Sequence, residues 1–250
     1  MSYEYTHVFL FNINNLKQRI PVIEAKRFLD DNEQKKLSLI KSAARAQEFV
    51  YGRYLGKKII ASYLDLPIND VIFLEDSRSK LYVKNHQHNL EFNLSHSGDF
   101  VALVIADKPV GIDIECTNGA SLPDIKSISL EQFLLHESDA VQHAHNEAEA
   151  FFLFYQFWTC KEAALKAIGV GLYQPMQNVN CADLLQGSSI RLENKDAAHS
   201  VKAWHHFSPD MPHLAVAKCG DFGELHFYTG KAAIDRLFSK HVDSFISFIP

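Results

Sequence analysis

Apolar residues dominate positions 7–13, HVFLFNI, and this run predicts an opening strand. After Pro21, residues 21–47 mix apolar and charged positions at helical spacing. A second helical stretch covers Ala43 to Leu64, with Phe49, Leu55, Ile59, Ile60 and Tyr63 as core candidates, and Pro67 ends it. Val71–Leu74 predicts a short strand and Asp76–Lys80 a turn. Within EFNLSHSGDFVALVIA, residues 91–106, the polar Ser95–Asp99 segment contains a glycine and predicts a turn between two strands. Val101–Ile105 is apolar and rich in β-branched residues, Asp107, Lys108 and Pro109 break the pattern, and VGIDIE at 110–115 is strand-like again. Residues 118–123 read as a loop.

Helices then dominate. Asp139–Glu149 is polar and rich in histidine, and Phe152–Ile168 is strongly helical in composition, ending at Gly169 and Gly171. After Tyr173, strand-like segments return at Ser189–Leu192, Val201–Phe207, Leu214–Lys218 and Glu224–Tyr228. The last stretch, Lys231–Phe248, is amphipathic and predicts a helix. This order is α+β, not alternating βαβ. Each half holds a helix plus several strands, so two related subdomains are expected, 1–108 and 109–250, divided at the Asp107–Pro109 break.

The 250 residues fit one large domain or two small ones, and 47% hydrophobic content is enough for a sizeable core. A formal net charge of -5 argues against general nucleic-acid binding, which needs a basic face. Cys116, Cys160, Cys181 and Cys219 form no C-x-x-C pair, which excludes a zinc knuckle and a thioredoxin motif and suits reduced, cytosolic thiols. The N-terminus lacks the basic start and long apolar stretch of a signal peptide. The aromatic run FFLFYQFW is far shorter than the ~20 residues a membrane span needs. A soluble, cytoplasmic protein without membrane or nucleic-acid partners is expected.

Four pieces carry candidate chemistry. In GIDIE, 111–115, residues i and i+2 share a strand face, so Asp113 and Glu115 project together. Two adjacent carboxylates suit a hard divalent cation such as magnesium, although two solvated acids on a strand would look the same. In WTCKEAALKAIGVGL, 158–172, Glu162 and Lys166 are i and i+4 on one helical face, next to an aromatic run that implies partial burial. An ordinary surface ion pair is the alternative. FNLSHSGD, 92–99, offers the Ser95 hydroxyl, the His96 imidazole and backbone donors suited to phosphate, although a lone histidine in a turn is often simply solvated. Finally, Arg45, Arg53 and Lys57 lie near one face of the second helix, with Arg78 and Lys80 in the turn, while Lys58 reads as a solubilising residue.

Together these motifs resemble the 4′-phosphopantetheinyl transferase superfamily in its longer, Sfp-type branch. The family signature G-[I/V]-D-x-E, then W-[S/T/C]-x-K-E-[A/S]-x-x-K, is matched by GIDIE at 111–115 and WTCKEAALK at 158–166. The upstream F-N-[I/L]-S-H-[S/T]-G appears as FNLSHSG at 92–98, and the following G-x-G-L as GVGL at 169–172. The resemblance implies a monomer built as a pseudo-dimer of two similar α+β subdomains related by a pseudo-twofold, with the active site in the cleft between them. It implies transfer of 4′-phosphopantetheine from coenzyme A to a serine of an acyl or peptidyl carrier protein, releasing 3′,5′-ADP. By matching positions, Asp113, Glu115 and Glu162 are implied as ligands of magnesium, with manganese possible. Ser95 and His96 contact the coenzyme A phosphates, and Lys166 the pyrophosphate. Asp113 and Lys161, also of the signature, join the coenzyme-binding set, and Arg45 and Arg53 lie where the family places contacts to the 3′-phosphate end. Glu162 is the candidate base for the serine, directly or through a bound water, with Lys166 and His96 as the other catalytic residues. One departure stands out: the family's G-K-P turn is here Ser79-Lys80-Leu81, which keeps Lys80 as a coenzyme contact but loses the glycine and the proline.

Two other readings remain open. A metal-dependent nucleotide phosphohydrolase would use the same carboxylates with water as nucleophile. A non-catalytic coenzyme A-binding module would keep the binding residues without the transfer. His136, His143 and His145 could form a second metal site, against a solvated loop in their polar setting. Carriers of fatty-acid, polyketide, nonribosomal-peptide and lysine pathways all fit the motifs.

Overall fold

The opening apolar run becomes β1 (Tyr5–Asn12), the second strand from one edge of a four-stranded sheet. The computed structural model describes residues 4–84, 90–117, 119–170, 174–181, 189–192 and 200–238. In it the chain divides into two compact units, one of residues 1–76, 81–107 and 223–250, the other of residues 77–80 and 108–222. The expected C-terminal subdomain, 109–250, therefore loses its last part to the first unit. The cause is long-range pairing: β11 (Glu224–Thr229) adds to β1 in parallel, and α8 (Gly230–Phe238) buries Ala233, Ile234 and Leu237 in the first unit's core.

In the first unit β4 (Glu91–Ser97) and β5 (Phe100–Ala106) complete the sheet in the order β11-β1-β5-β4. Alternation sorts their side chains. Phe9, Phe11, Phe92, Val101, Leu103 and Ile105 enter one core with α4 (Ala43–Leu64). Ser42 caps α4, its hydroxyl accepting from Arg45 N–H, and Asp65 ends it in a left-handed conformation. The helical segment expected over 21–47 is broken into α2 (Val22–Ala25), a 3₁₀ turn and α3 (Asp31–Leu39). The break has a local cause, because Asp30 and Glu33 form a reciprocal capping box that starts a new helix. The short α1 (Ile13–Lys17) follows β1, and a hairpin of β2 (Phe73–Glu75) and β3 (Leu81–Val83) lies apart from the main sheet.

In the second unit, β6 (Val110–Glu115), β10 (His213–Cys219), β9 (Ser200–His206), β8 (Ser189–Leu192) and β7 (Val179–Asn180) form a sheet in that order. α7 (Glu147–Ala167) covers one face, with α5 (Leu122–Gln132) and α6 (Leu135–Gln142) packed against it. The facing strand residues are small: Ala203, Ala215 and Ala217 join Ala163, Ala164 and Ala167 in the core. Each unit is thus a sheet with helices, as the α+β reading expected. Gly171, Leu172 and the predicted helix beyond Phe238 lie outside the described residues, and so does position 118 of the predicted loop. Within the described residues no helix is long and apolar enough to cross a membrane.

Candidate functional site

Gly111 sets how closely α7 approaches β6. A Cβ there would stand 2.1 Å from the Ala163 carbonyl oxygen and 2.5 Å from Ala167 N, so only glycine allows this contact. The same strand face then carries Asp113 and Glu115 toward α7, while Ile112 and Ile114 are buried on the opposite face. Asp113 is 4% exposed, and Lys166 Nζ lies 2.6 Å from its Oδ1 and 3.3 Å from the Ile112 carbonyl oxygen. Glu162, one helical turn before Lys166, is 9% exposed. Burial pushes its carboxyl up; the Lys166 ammonium opposes this and the Asp113 charge adds to it. Strand and helix thus bring Asp113, Glu162 and Lys166 into one electrostatic cluster.

Glu115 lies farther along the same strand face, where its charge helps raise the Tyr155 hydroxyl, itself pushed up mainly by burial. Among the described residues no three carboxylate, imidazole or thiol groups stand together as a ready cation cage. Asp113 and Glu162 nonetheless fit a hard divalent ion: two oxygen-donor groups influence each other across the strand–helix contact, and one ammonium supplies their counter-charge.

The first unit holds Ser95, His96, Arg45 and Arg53 of the expected site residues. Ser95 and His96 lie on β4, not in the turn predicted for 95–99, because the ladder with β5 runs on to Ser97 paired with Phe100. The turn tightens at Gly98, whose φ of +56° favours glycine. Alternation sends the two side chains to opposite faces, His96 across from Val101 on the α4 side and Ser95 across from Ala102. His96 Nδ1 lies 3.1 Å from Oε2 of Glu48 on α4. The sequence reading missed Glu48. Its signal is that it is the lone acid in the 22 residues of that helix.

Of the basic set, Arg45 is exposed in the first turn of α4. Arg53 lies among acids and an aromatic ring. Its Nη2 lies 3.2 Å from Glu75, its Nε 3.8 Å from Glu33, and its guanidinium sits over the Phe49 ring at 5.1 Å. Lys57 is buried against Glu33 at 2.6 Å. Two acids and an aromatic face thus meet part of the Arg53 guanidinium, while its buried Nη1 has no hydrogen-bond partner among the described residues.

Lys161 lies inside the second unit. It has no exposed surface, lies 2.7 Å from the buried Glu137 carboxylate, and donates to the carbonyls of Met176, at 3.1 Å, and Val179. An ammonium has three protons, and three partners take them, so in this structure the lysine ties α7 to Glu137 of α6 and to the 176–179 segment. Lys80 and Arg78 lie at the end of α7: a Cβ on Gly169 would be 3.7 Å from Lys80 Cδ, and Arg78 Nη1 donates to the Gly169 carbonyl at 3.1 Å. Ser79 keeps φ +65°, the backbone that the family's glycine would favour, at a cost of roughly 1–2 kcal/mol for a side-chain-bearing residue. His136 and His145 are exposed or on a polar loop, and His143 bonds the Asp139 carbonyl, so the three form no metal cluster among the described residues.

A two-unit α+β chain in which a strand and a helix close a carboxylate pair around one ammonium is a protein suited to cation and phosphate chemistry. Two family models adjoin along it. The one described as 4′-phosphopantetheinyl transferase superfamily matches residues 109–219, and the one described as 4′-phosphopantetheinyl transferase, N-terminal, matches residues 20–108. The chain belongs to the 4′-phosphopantetheinyl transferase superfamily. It is 30% identical over 174 residues to the L-aminoadipate-semialdehyde dehydrogenase-phosphopantetheinyl transferase of Mus musculus, covering 66% of this chain and 56% of that protein. It is 32% identical over 142 residues to 4′-phosphopantetheinyl transferase gsp of Aneurinibacillus migulanus, covering 56% and 54%. With 4′-phosphopantetheinyl transferase psf-1 of Bacillus pumilus it shares 30% over 165 residues, covering 64% and 66%. The chain spans about half to two thirds of the length of these curated relatives.

Proposed function

We propose that this protein transfers the 4′-phosphopantetheine arm of coenzyme A to a serine hydroxyl of an acyl or peptidyl carrier protein and releases 3′,5′-ADP. The observation that carries the reading is the cluster of Asp113, Glu162 and Lys166 on the family's two signature segments. Asp113 and Glu162, joined by Glu115 from the same strand face, are the residues that would hold magnesium or manganese, which when bound screens pyrophosphate charge. Glu162, with a carboxyl raised by burial, is a better base than an exposed glutamate at neutral pH. It takes the serine proton as the serine oxygen bonds the β-phosphorus and the bond from that phosphorus to the 3′,5′-ADP oxygen breaks. Lys166 offsets negative charge on the phosphate oxygens. Ser95 and His96 bind coenzyme phosphates, with Arg45 and Lys80 as further cations. In this reading Ser95, His96 and Arg45 of the first unit and Lys80 and Lys166 of the second serve the coenzyme, the second unit holds the metal, and the protein works as a cytoplasmic monomer.

The test is incubation of the purified chain with apo carrier protein, coenzyme A and magnesium, read by intact mass. The expected result is a carrier heavier by one phosphopantetheine with matching 3′,5′-ADP. Lys166→Ala should lower kcat roughly 10²–10³-fold, as loss of a charge-stabilising donor does. Coenzyme A cleaved without carrier modification would overturn transfer in favour of a nucleotide phosphohydrolase.

A further inference from the structure

Glu48 on α4 is 9% exposed, and its Oε2 lies 3.1 Å from Nδ1 of His96 on β4, whose side chain keeps 43% exposure. A carboxylate this deeply placed is costly unless a donor meets it. Ionised, it can only accept, so the proton between them sits on Nδ1 of the histidine. A partner on one ring nitrogen sets what the other can do. We propose that Glu48 is the positioning residue for His96: it fixes the ring against α4, holds the proton on Nδ1, and assigns anion binding to Nε2. With Nε2 also protonated, the ring is a cation whose charge the carboxylate supports from behind, the form that binds a coenzyme phosphate. The arrangement parallels the carboxylate–histidine pairs that orient ligands at metal centres. The proposal rests on the assignment of His96 to the coenzyme phosphates made above.

A surface ion pair is the competing account, and burial separates the two. Exposed pairs contribute little because both ends are solvated alone. Here the acid is shielded by its own helix and the imidazole reaches outward, which is how an orienting group behaves. The pair also ties the second turn of α4 to the last residues of β4, the edge strand of its sheet.

The experiment compares wild type, Glu48→Gln, Glu48→Ala, His96→Ala and the Glu48→Ala/His96→Ala double variant. Steady-state kinetics should show that Glu48→Ala raises KM for coenzyme A about tenfold, the lower end for loss of an orienting partner, with KM for carrier unchanged. Glu48→Gln keeps an acceptor without the charge and should fall between. In the His96→Ala background, Glu48→Ala should add nothing. Nitrogen NMR of ¹⁵N-histidine protein should find His96 protonated at Nδ1 in wild type and not held there in Glu48→Ala. An equal KM rise with and without His96, or an Nδ1 protonation state indifferent to Glu48, overturns the proposal. If Glu48→Ala fails to fold, Glu48→Gln carries both arms. If wild type transfers nothing, the functional reading fails, while the NMR arm still decides whether Glu48 sets the proton.

Discussion

Lys161 shows how far a charged side chain can depart from the role its neighbours in sequence suggest. It stands one position before Glu162, within the same signature, yet the helix turns it about 100° away, into the core beneath α7. Glu137 answers it from α6, and that carboxylate also accepts from the N–H groups of Leu134, at 2.9 Å, and Cys181, at 2.7 Å. Removing the cation alone leaves Glu137 buried without its counter-charge, which typically costs about 3–5 kcal/mol. Lys161→Met is therefore expected to lower the stability of the second unit by that order, seen as a large drop in its urea midpoint. Pairing it with Glu137→Gln should recover part of the loss. Wild-type stability in Lys161→Met together with a raised KM for coenzyme A would refute the structural role and support the coenzyme-binding role expected from the motif.

Among the elements, the contact of α7 with β6 matters most, and it depends on absent side chains. Gly111→Ala would drive a methyl into the Ala163 carbonyl at 2.1 Å, backbone that cannot step aside without moving the helix. That variant should lose about 1–3 kcal/mol or more and weaken transfer, because Asp113 and Lys166 are aligned by the same contact. Parallel measurement of thermal unfolding and kcat tests this, and a stable, fully active Gly111→Ala would refute it. This element pair was legible in the sequence: VGIDIE reads directly as the strand at 110–115, and its period of two already places Asp113 and Glu115 together. The helical run read from Phe152 begins earlier, at Glu147, since Asn146 supplies an N-cap that the histidine-rich context obscures. Ser95 and His96 were misplaced for a related reason. Polar residues and a glycine look like a turn, while the pairing that extends β4 comes from β5 and leaves no local mark. Arg53 and Lys57 have helical spacing that predicts a shared face, but the acids that meet them arrive from α3 and β2. β11 joining β1 across more than 200 residues is the same problem at greater range.

For the molecule as a whole, pH reaches stability through the second unit. His205 and His213 sit on neighbouring strands β9 and β10, with Nε2 of one 3.2 Å from Nδ1 of the other, among Phe152, Tyr155 and Phe207. One ring donates and the other accepts, so the accepting ring must be neutral, and the pair cannot be doubly protonated, while the bond is made. Burial pushes His213 down to about 4; burial, then the neighbouring His213 and His206, pushes His205 down to about 3. In the unfolded chain both return to the ordinary histidine value of about 6.5. Between that value and the folded ones, the unfolded state binds protons that the folded state refuses, so stability is full above about pH 6.5 and falls as pH drops toward 4. Each histidine contributes a slope of at most about 1.4 kcal/mol per pH unit across that window. Both belong to the second unit, so the loss should appear in that unit's transition if the two units unfold separately. Carboxylates titrate in the lower part of the same range, and the double variant His205→Phe/His213→Phe separates the contributions. Urea unfolding at pH 7, 6 and 5 should give a steeper decline in wild type than in the double variant, with the largest difference between pH 6 and 5. Equal slopes in the two proteins would show that the histidine pair is protonated at no cost in the folded state, contrary to its burial.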